Sequence, residues 1–177
     1  AGRTFEGETF KLTKDVDLNN DRWTPIGATG KFLGTFDGQN HKITNLFVSE
    51  TDKTPVGLFA NARNIKNVKV IGAEIYGHYK AGVIVGDGLC AKIDNCHVEN
   101  AIVKIVPLNE DDANNVGGIV GYLSAETTAY VKNCSVKNAE ITAYRKVAGI
   151  VGAARGAAEV SDNTVENVTV TADQTAE

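Results

Sequence analysis

Two short clusters of aromatic and basic residues hold the side chains best suited to binding chemistry. The first contains Tyr76, His78 and Tyr79, and the second contains Tyr144 and Arg145. An aromatic ring bordered by polar groups offers an apolar face and hydrogen-bonding edges, which suits contacts with sugars or peptides. The simpler interpretation is that these are ordinary exposed side chains. If the chain has a ligand, these residues predict a glycan or a surface protein.

An irregular acidic segment lies between the two clusters in the sequence. It runs from Pro107 to Asn115 and contains Glu110, Asp111 and Asp112. Insertions in repeat proteins form loops, often on the binding face. We therefore predict a binding edge built from both aromatic clusters and this loop. The alternative is a solvated loop that binds nothing.

Other groups that could do chemistry are poorly arranged for it. The segment Asp15–Asp21 matches the start of a calcium loop, but Asn20 and Ile26 stand where such a loop has Gly and an acidic residue. The glycine-rich stretch Gly82–Gly88 lacks the Lys-Ser/Thr pair and the helix of a phosphate-binding loop. We predict no catalytic residue, no metal and no cofactor.

The elements that carry these residues repeat along the chain. A phrase with the pattern apolar, polar, Asn, apolar, polar, Val occurs five times, starting at Ile43, Ile65, Ile93, Val131 and, in degenerate form, Val160. A second, glycine-flanked apolar phrase starts at Val56, Ala81, Val116 and Val147. Self-similarity at this spacing indicates stacked units, each in contact with its neighbours.

Both phrases predict β-strands. They are short, rich in β-branched residues and bounded by Gly or Asn, and no stretch shows a convincing 3.6-residue apolar period. Within the second copy, Ile65, Val68 and Val70 should point inward, whereas Lys66 and Lys69 should point outward. The leucine frame of the competing leucine-rich solenoid is absent. The fold class is therefore all-β, a parallel solenoid of about five coils.

The Asn of each phrase should occupy a bend, because Asn tolerates left-handed backbone angles and bonds neighbouring backbone groups. We predict a structural ladder through Asn45, Asn67, Asn95, Asn133 and Asp162, and a second through Asn100, Asn138 and Asn167. Two outward columns alternate in charge, Lys66 with Asp94 and Lys132, and Glu99 with Lys137 and Glu166. Such alternation favours register and solubility over a binding patch.

The cysteines divide into a pair and a single residue. Cys96 and Cys134 occupy the same inward slot in successive units, where Val68 also falls. Side chains stacked in parallel are poorly oriented for a disulfide, so we predict two buried free thiols. His97 should point the opposite way, which argues against a shared zinc site. Cys90 receives no role.

Composition and length limit the remaining possibilities. The 177 residues carry a formal net charge of −4, which disfavours nucleic acid as a partner, and contain no apolar run long enough to span a membrane. The chain begins at Ala1 and has no Met, so we expect an excised or processed segment. We expect residues 1–33 to form an N-terminal cap, with a strand from Phe10 to Leu18, and residues 34–177 to form the repeats. The last coil, with Val165 and Val170, offers a possible end-to-end contact.

Several segments together resemble the GLUG-motif repeat proteins. These are Phe32–Leu46, Val56–Phe59 and Val116–Gly121. The segments Leu12–Leu18 and Trp23–Gly27 also resemble the leader that precedes such repeats. The resemblance implies a right-handed parallel β-helix within a secreted or surface-attached, adhesin-like bacterial protein. Ala60 departs from the family, which usually has Gly there. The family has no agreed catalytic residues to transfer.

Two functions remain as hypotheses. The first is a non-enzymatic extracellular module for adhesion, display or spacing on a bacterial cell surface. The alternative is a polysaccharide-cleaving β-helix enzyme or a carbohydrate-binding accessory domain. Cleavage needs clustered carboxylates, whereas Asp94 should be the sole carboxylate on the outward face of the Asn-phrase sheet. The sequence therefore favours the first hypothesis.

Overall fold

The chain folds as a stack of parallel β coils. The computed structural model describes residues 3–109 and 114–173, and these ranges contain no helix. The strands are β1 (Thr9–Lys11), β2 (Val16–Asp17), β3 (Phe32–Asp37), β4 (Lys42–Thr44), β5 (Phe47–Ser49), β6 (Phe59–Lys66), β7 (Lys69–Ile71), β8 (Glu74–Gly77), β9 (Lys80–Gly82), β10 (Val85–Leu89), β11 (Lys92–Asp94), β12 (His97–Glu99), β13 (Ile102–Ile105), β14 (Asn115–Gly117), β15 (Val120–Lys132), β16 (Ser135–Ala143), β17 (Val147–Ala148), β18 (Val151–Ser161) and β19 (Thr164–Ala172).

Three parallel sheets form the sides of the stack. The first sheet contains β1, β3, β6, β10, β11, β15 and β18; the second contains β2, β4, β5, β7, β8, β12, β13, β16 and β19; the third contains β9, β14 and β17. The coils from β6 onward pass through the sheets in that order, and strands pair with their counterparts one coil away. The predicted parallel β-helix is confirmed, with about six turns.

The leader contributes the additional turn. The predicted single strand from Phe10 to Leu18 is wrong, because the chain turns a corner between β1 and β2. Strand β1 pairs with β3 and lies in the first sheet, whereas β2 pairs with β4 and lies in the second. The Asp15 carboxylate at this corner accepts the Lys42 N–H at 3.0 Å. Residues of the leader therefore wrap as a first coil beneath the repeats.

The interior consists of stacked apolar columns. Ile65, Ile93 and Val131 are register partners and are buried, as predicted. A second column places Val70, Val98 and Val136 one above another. Burial of each such side chain contributes about 1.5–3 kcal/mol. The stack is therefore stabilised along its whole length by one repeated contact rather than by a single central core.

The glycines of the second phrase allow the coils to approach closely at the third sheet. A Cβ on Gly82 would lie 2.4 Å from the carbonyl oxygen of Val85 and 2.6 Å from that of Ile119. Both neighbours are backbone atoms, which cannot rotate away. A side chain at this position would force adjacent coils apart.

The two core cysteines are free and buried, as predicted. The Cys96 N–H points at the Cys134 sulfur across 3.4 Å, and the Cys134 thiol donates to the carbonyl oxygen of Lys132 at 3.0 Å. Burial raises the pKa of the Cys96 thiol well above its ordinary value. Both side chains therefore act as core residues.

Asparagine corners separate the first sheet from the second. The backbone φ is positive at Asn67, Asn95, Asn133 and Asp162, between 51° and 57°. Asn67 Nδ2 donates to Asp37 at 2.9 Å, and Asn95 Nδ2 donates to Asn67 Oδ1 at 2.8 Å. Asn67 and Asn95 are thus joined as the ladder predicts, whereas Asn133 Nδ2 donates to Asp94 at 2.9 Å rather than to Asn95.

Asn45 was placed in the wrong column by the sequence pattern. Ile43 pairs with Val70, and Phe36 pairs with Ile65, so the first copy of the phrase lies one side further along its coil. Asn45 consequently belongs to the second corner, where it has φ 57° and donates to Asp17 at 2.8 Å. The second ladder is present higher in the same corner, since Asn167 donates to Asn138 at 3.3 Å.

One outward column of the first sheet alternates in charge over five coils. Its register partners are Lys11, Asp37, Lys66, Asp94 and Lys132. Lys66 Nζ lies 3.5 Å from the Asp37 carboxylate. The shorter column predicted through Lys66, Asp94 and Lys132 is therefore confirmed and extended. The predicted column of Glu99, Lys137 and Glu166 is also in register, with a 2.7 Å ion pair between its last two members.

Asp37 is the most strongly held carboxylate of this column. Its burial alone would raise the pKa, but hydrogen bonds from Asn67 and Gln39 and the Lys66 charge outweigh burial and lower the pKa to about 2. The Asp37 carboxyl group is therefore ionised in the folded chain at neutral pH.

Candidate binding edge

The corner between the second and third sheets brings the predicted binding residues together. We call this corner the insertion edge and define it by residues 78–79, 106–109 and 144–146. Strands β8, β13 and β16 end in register at Gly77, Ile105 and Ala143 before the chain crosses to the third sheet. The crossing residues of three successive coils therefore lie one above another, and both aromatic clusters flank the insertion.

His78 ties the lower coil to the insertion. Its Nδ1 lies 2.6 Å from the carbonyl oxygen of Val106, and its own carbonyl oxygen accepts the Asn114 amide at 3.1 Å. Asn114 is fully buried, and its Oδ1 has no hydrogen-bond partner among the described residues. His78 thus fixes where the insertion leaves and rejoins the stack. This gives His78 a positioning role, and its contact with a ligand stays a prediction.

Tyr76 lies just before the edge, on the outer face of the second sheet. Its hydroxyl donates to Glu74 at 3.3 Å, and its ring meets the Phe47 ring edge-on at 6.2 Å between centroids. Burial, followed by the Glu74 charge, raises the pKa of the phenol. Lys104 and Thr142 continue the same outward column on the next two coils. Tyr76 is therefore partly engaged within the protein.

The upper coil contributes an aromatic ring and an exposed cation. The exposed Arg145 guanidinium lies 5.0 Å from the centroid of Tyr144. Tyr144 also lines a cavity of ≈ 230 Å³, together with Lys104, Ile105, Val106, Pro107, Thr142, Ala143 and Asp173. The cavity joins the first part of the insertion to the coil above it. Its volume suits one sugar ring or one side chain rather than a larger molecule.

Tyr79 is the second aromatic residue of the insertion edge. Tyr79 is half-buried, and Lys80 Nζ lies 5.1 Å from its ring centroid. The predicted acidic contacts Glu110, Asp111 and Asp112 lie outside the described residues. The structure thus places His78, Tyr79, Tyr144 and Arg145 on the insertion edge and Tyr76 beside it, within β8.

The calcium-like segment is occupied by internal hydrogen bonds. Asp15 accepts from His41 Nδ1 at 3.1 Å, and Asp17 accepts from the Asn19 N–H at 2.9 Å. These hydrogen bonds, to backbone first and then to side chains, lower the pKa of both carboxyl groups. Across residues 3–109 and 114–173, no group of three His, Cys, Asp or Glu side chains is arranged to hold a metal ion.

His97 faces outward, away from the core cysteines, as the strand alternation predicts. Its Nδ1 lies 2.8 Å from the Ser135 hydroxyl, and its Nε2 lies 2.9 Å from Asn95 Oδ1. Burial, assisted by the Lys69 charge, lowers the pKa of the imidazole. The ring is thus a neutral brace between the ladder and the second sheet.

Sequence reasoning missed one cluster on the outer face of the first sheet. There Lys80 forms a 2.6 Å ion pair with Asp87 and lies 4.5 Å from the ring centroid of Tyr122. Asp87 and Tyr122 are register partners that directly follow the closing Gly of the second phrase. That position after the Gly is the signal by which the outward residues of this face could have been found.

Comparisons with known proteins give a partial similarity. No family model and no solved structure matches the chain. A protein of Evansella cellulosilytica described as a "Gly-rich membrane protein" is 36% identical over 61 residues, which are 30% of this chain and 7% of that protein. The chain therefore spans a small fraction of that relative's length. Within the part of the chain that the structure describes, no helix has the length and hydrophobicity needed to cross a membrane.

Proposed function

We propose that the chain is an extracellular repeat module of the adhesin type, which binds a glycan or a surface protein through its insertion edge. One observation carries the proposal: residues 104–107 and 142–144 of two successive coils, together with Asp173 of the coil above, meet around the ≈ 230 Å³ cavity beside Tyr144. The other described corners mostly continue as regular columns from coil to coil. Irregular residues gathered by a regular scaffold are where a repeat protein binds.

The scaffold suits this task because its rigidity does not depend on the edge. The stacked apolar columns and asparagine ladders lie on other sides of each coil. Residues of the insertion edge are therefore free to differ without loss of the fold. Two similarities support a location at the cell surface. One is the resemblance to GLUG-motif proteins, and the other is the partial similarity to a protein described as a membrane protein.

Tyr144 provides the sharpest test. Its replacement by Ala should weaken binding to the ligand found on a glycan array or on cells by at least about 30-fold, the size of effect expected for a central aromatic contact. Tyr130→Ala is the matched control. Tyr130 is also half-buried and has a cation, Lys132 Nζ, 5.1 Å from its ring centroid, but it lies on the first sheet.

The two variants separate the possibilities. Loss of binding in Tyr144→Ala supports the insertion edge, provided that Tyr130→Ala binds like the wild type and that both variants unfold at the wild-type temperature. Equal binding by wild type and Tyr144→Ala would remove the edge from the function. A chain that binds none of the glycans or cells would favour the spacing role over adhesion.

A further inference from the structure

A second cavity opens on the outer face of the first sheet, away from the insertion edge. Its volume is ≈ 440 Å³, which falls in the range of small-molecule sites. It is lined by Tyr122, Ser124, Ala125, Glu126, Arg155 and Gly156. These residues belong to the last two coils and to neighbouring strands, β15 and β18.

A bulge in β15 creates this cavity. Ala125 pairs with Gly156 and Ala129 pairs with Ala158, so residues 126–128 of β15 face the single residue Ala157 of β18. The extra residues are exposed and form a wall beside the flat sheet. Gly156 has φ 78°, and a Cβ there would lie 2.3 Å from the Ala125 carbonyl oxygen. The floor beside the wall therefore requires glycine.

The lining combines a free cation with an aromatic ring and oxygen groups. Arg155 is exposed, forms no ion pair with any described residue and lies directly opposite Ser124. Tyr122 lies two residues before Ser124 on the same outward face. Glu126 stands on the wall. A guanidinium binds a carboxylate through two parallel N–H bonds, whereas hydroxyl and carboxylate oxygens bind sugar hydroxyls.

A second arginine lies on the same face toward the first coils. Arg63 borders a small cavity with Lys31 and with Leu89, the register partner of Ser124. The Arg63 Nε is buried and has no hydrogen-bond partner among the described residues, whereas its Nη1 lies 3.3 Å from the Glu6 carboxylate, and Asp87 lines the same cavity. Arg63 and Arg155 are three coils apart, or about 14 Å at the ~4.8 Å spacing of strands. Two guanidinium groups are thus aligned along the stack on a chain of formal net charge −4.

We propose that this face binds an acidic polysaccharide lying along the stack, with the carboxylate of one sugar residue held by Arg155 and its ring packed on Tyr122. An extended polymer fits because a second arginine, Arg63, lies in the stacking direction from Arg155, in a surface ion pair with Glu6 that an acidic sugar can replace. The apolar side of a sugar ring matches an aromatic face, and Ser124 and Glu126 offer partners for its hydroxyls. The site goes beyond the proposed function, since it lies on a different side of the coil.

Calorimetric titration with a galacturonate oligomer tests the proposal, with its fully methyl-esterified form as the neutral comparison. The intact chain should bind the acidic oligomer saturably and the ester at least about tenfold more weakly. Arg155→Gln should weaken binding of the acidic oligomer by at least about tenfold, and Arg155→Lys should recover only part of that loss, because lysine lacks the planar fork. Arg22→Gln, which changes an exposed arginine bridged to Phe47 of the second sheet, is the matched control and should stay within about twofold.

The alternative outcomes each overturn the assignment. Absence of saturable binding, or equal binding by Arg155→Gln, would exclude this face as the site. Equal binding of the acid and the ester would show that the charge is not recognised. Loss of binding in Tyr144→Ala or Arg145→Gln, but not in Arg155→Gln, would move the acidic ligand to the insertion edge and support the proposed function instead.

Discussion

Replacement of Asn67 should show how much one corner of the ladder contributes to stability. Its backbone has φ 55°, and its side chain donates to Asp37 at 2.9 Å and accepts from Asn95 at 2.8 Å. Ala at this position loses two hydrogen bonds, at about 1 kcal/mol each, and adopts a left-handed conformation at a cost of about 1–2 kcal/mol. We therefore expect Asn67→Ala to lower the free energy of unfolding by about 3–4 kcal/mol.

Glycine separates the two contributions. Asn67→Gly loses the same hydrogen bonds without the left-handed strain, and should be less destabilising than Asn67→Ala by about 1 kcal/mol. Asn138, with φ 50°, is the control in an exposed corner, where the side-chain bond is the longer 3.3 Å contact with Asn167. Ala there should cost mainly the backbone term, about 1–2 kcal/mol.

Urea unfolding at neutral pH would measure these differences, provided that the denaturant dependence is unchanged between variants. Equal stability of the Ala and Gly variants at position 67 would show that the backbone angle carries no strain. A loss no larger at position 67 than at position 138 would show that the side-chain ladder contributes nothing measurable. Either result would refute the reasoning.

Three further predictions concern other parts of the stack. The Asp37 pKa of about 2 lies below the ordinary 3.8, so this carboxylate stabilises the fold above pH 4. Acid titration should therefore remove about 2 kcal/mol of unfolding free energy between pH 4 and pH 2. Asp37→Asn should abolish that part of the pH dependence. Cys90 is half-buried, and hydrogen bonds from the Thr127 hydroxyl and backbone lower its thiol pKa; it should react with a thiol reagent in the folded chain before the two buried core cysteines, whereas the unfolded chain without reductant should show three reactive thiols. Gly82→Ala should destabilise the chain by at least about 2 kcal/mol in thermal unfolding, whereas Gly30→Ala, with open space around its Cβ position, should be nearly neutral.

The repeated phrases made the architecture predictable because a column position needs the same residue type in every coil. Ile65, Ile93 and Val131 could be aligned by eye, and the structure stacks them. The asparagine corners were equally readable, since few residues tolerate positive φ. Solenoids therefore reveal their fold through repetition, where other folds require long-range pairing that a sequence does not display.

The first copy shows why repetition alone can mislead. Ile43 and Ile65 are only 22 residues apart, whereas Phe36, the true partner of Ile65, is 29 residues away. Two corners of each coil use similar chemistry, so a phrase can match the wrong one. Coil length was the better guide than residue pattern at this position.

The candidate site was less predictable than the scaffold. The insertion interrupts the third coil, and the register of its neighbours placed both aromatic clusters beside it. The bulge at residues 126–128 was not predictable from the phrases, because it lies within one continuous strand of the first sheet. The contact by which His78 anchors the loop was also not predictable, because no residue pattern encodes a hydrogen bond to the Val106 carbonyl oxygen.

In the alternating column of Lys11, Asp37, Lys66, Asp94 and Lys132, adjacent coils carry opposite charges and coils two apart carry the same charge. Removal of one coil, residues 67–94, would place Lys66 beside Lys132, and like charges directly opposed across a sheet cost up to about 1 kcal/mol. Duplication of one coil would create the same conflict, whereas removal or duplication of two coils would preserve every attractive pair. Such a stack lengthens or shortens most readily by pairs of coils, so the doublet, rather than the single repeat, is its unit of growth.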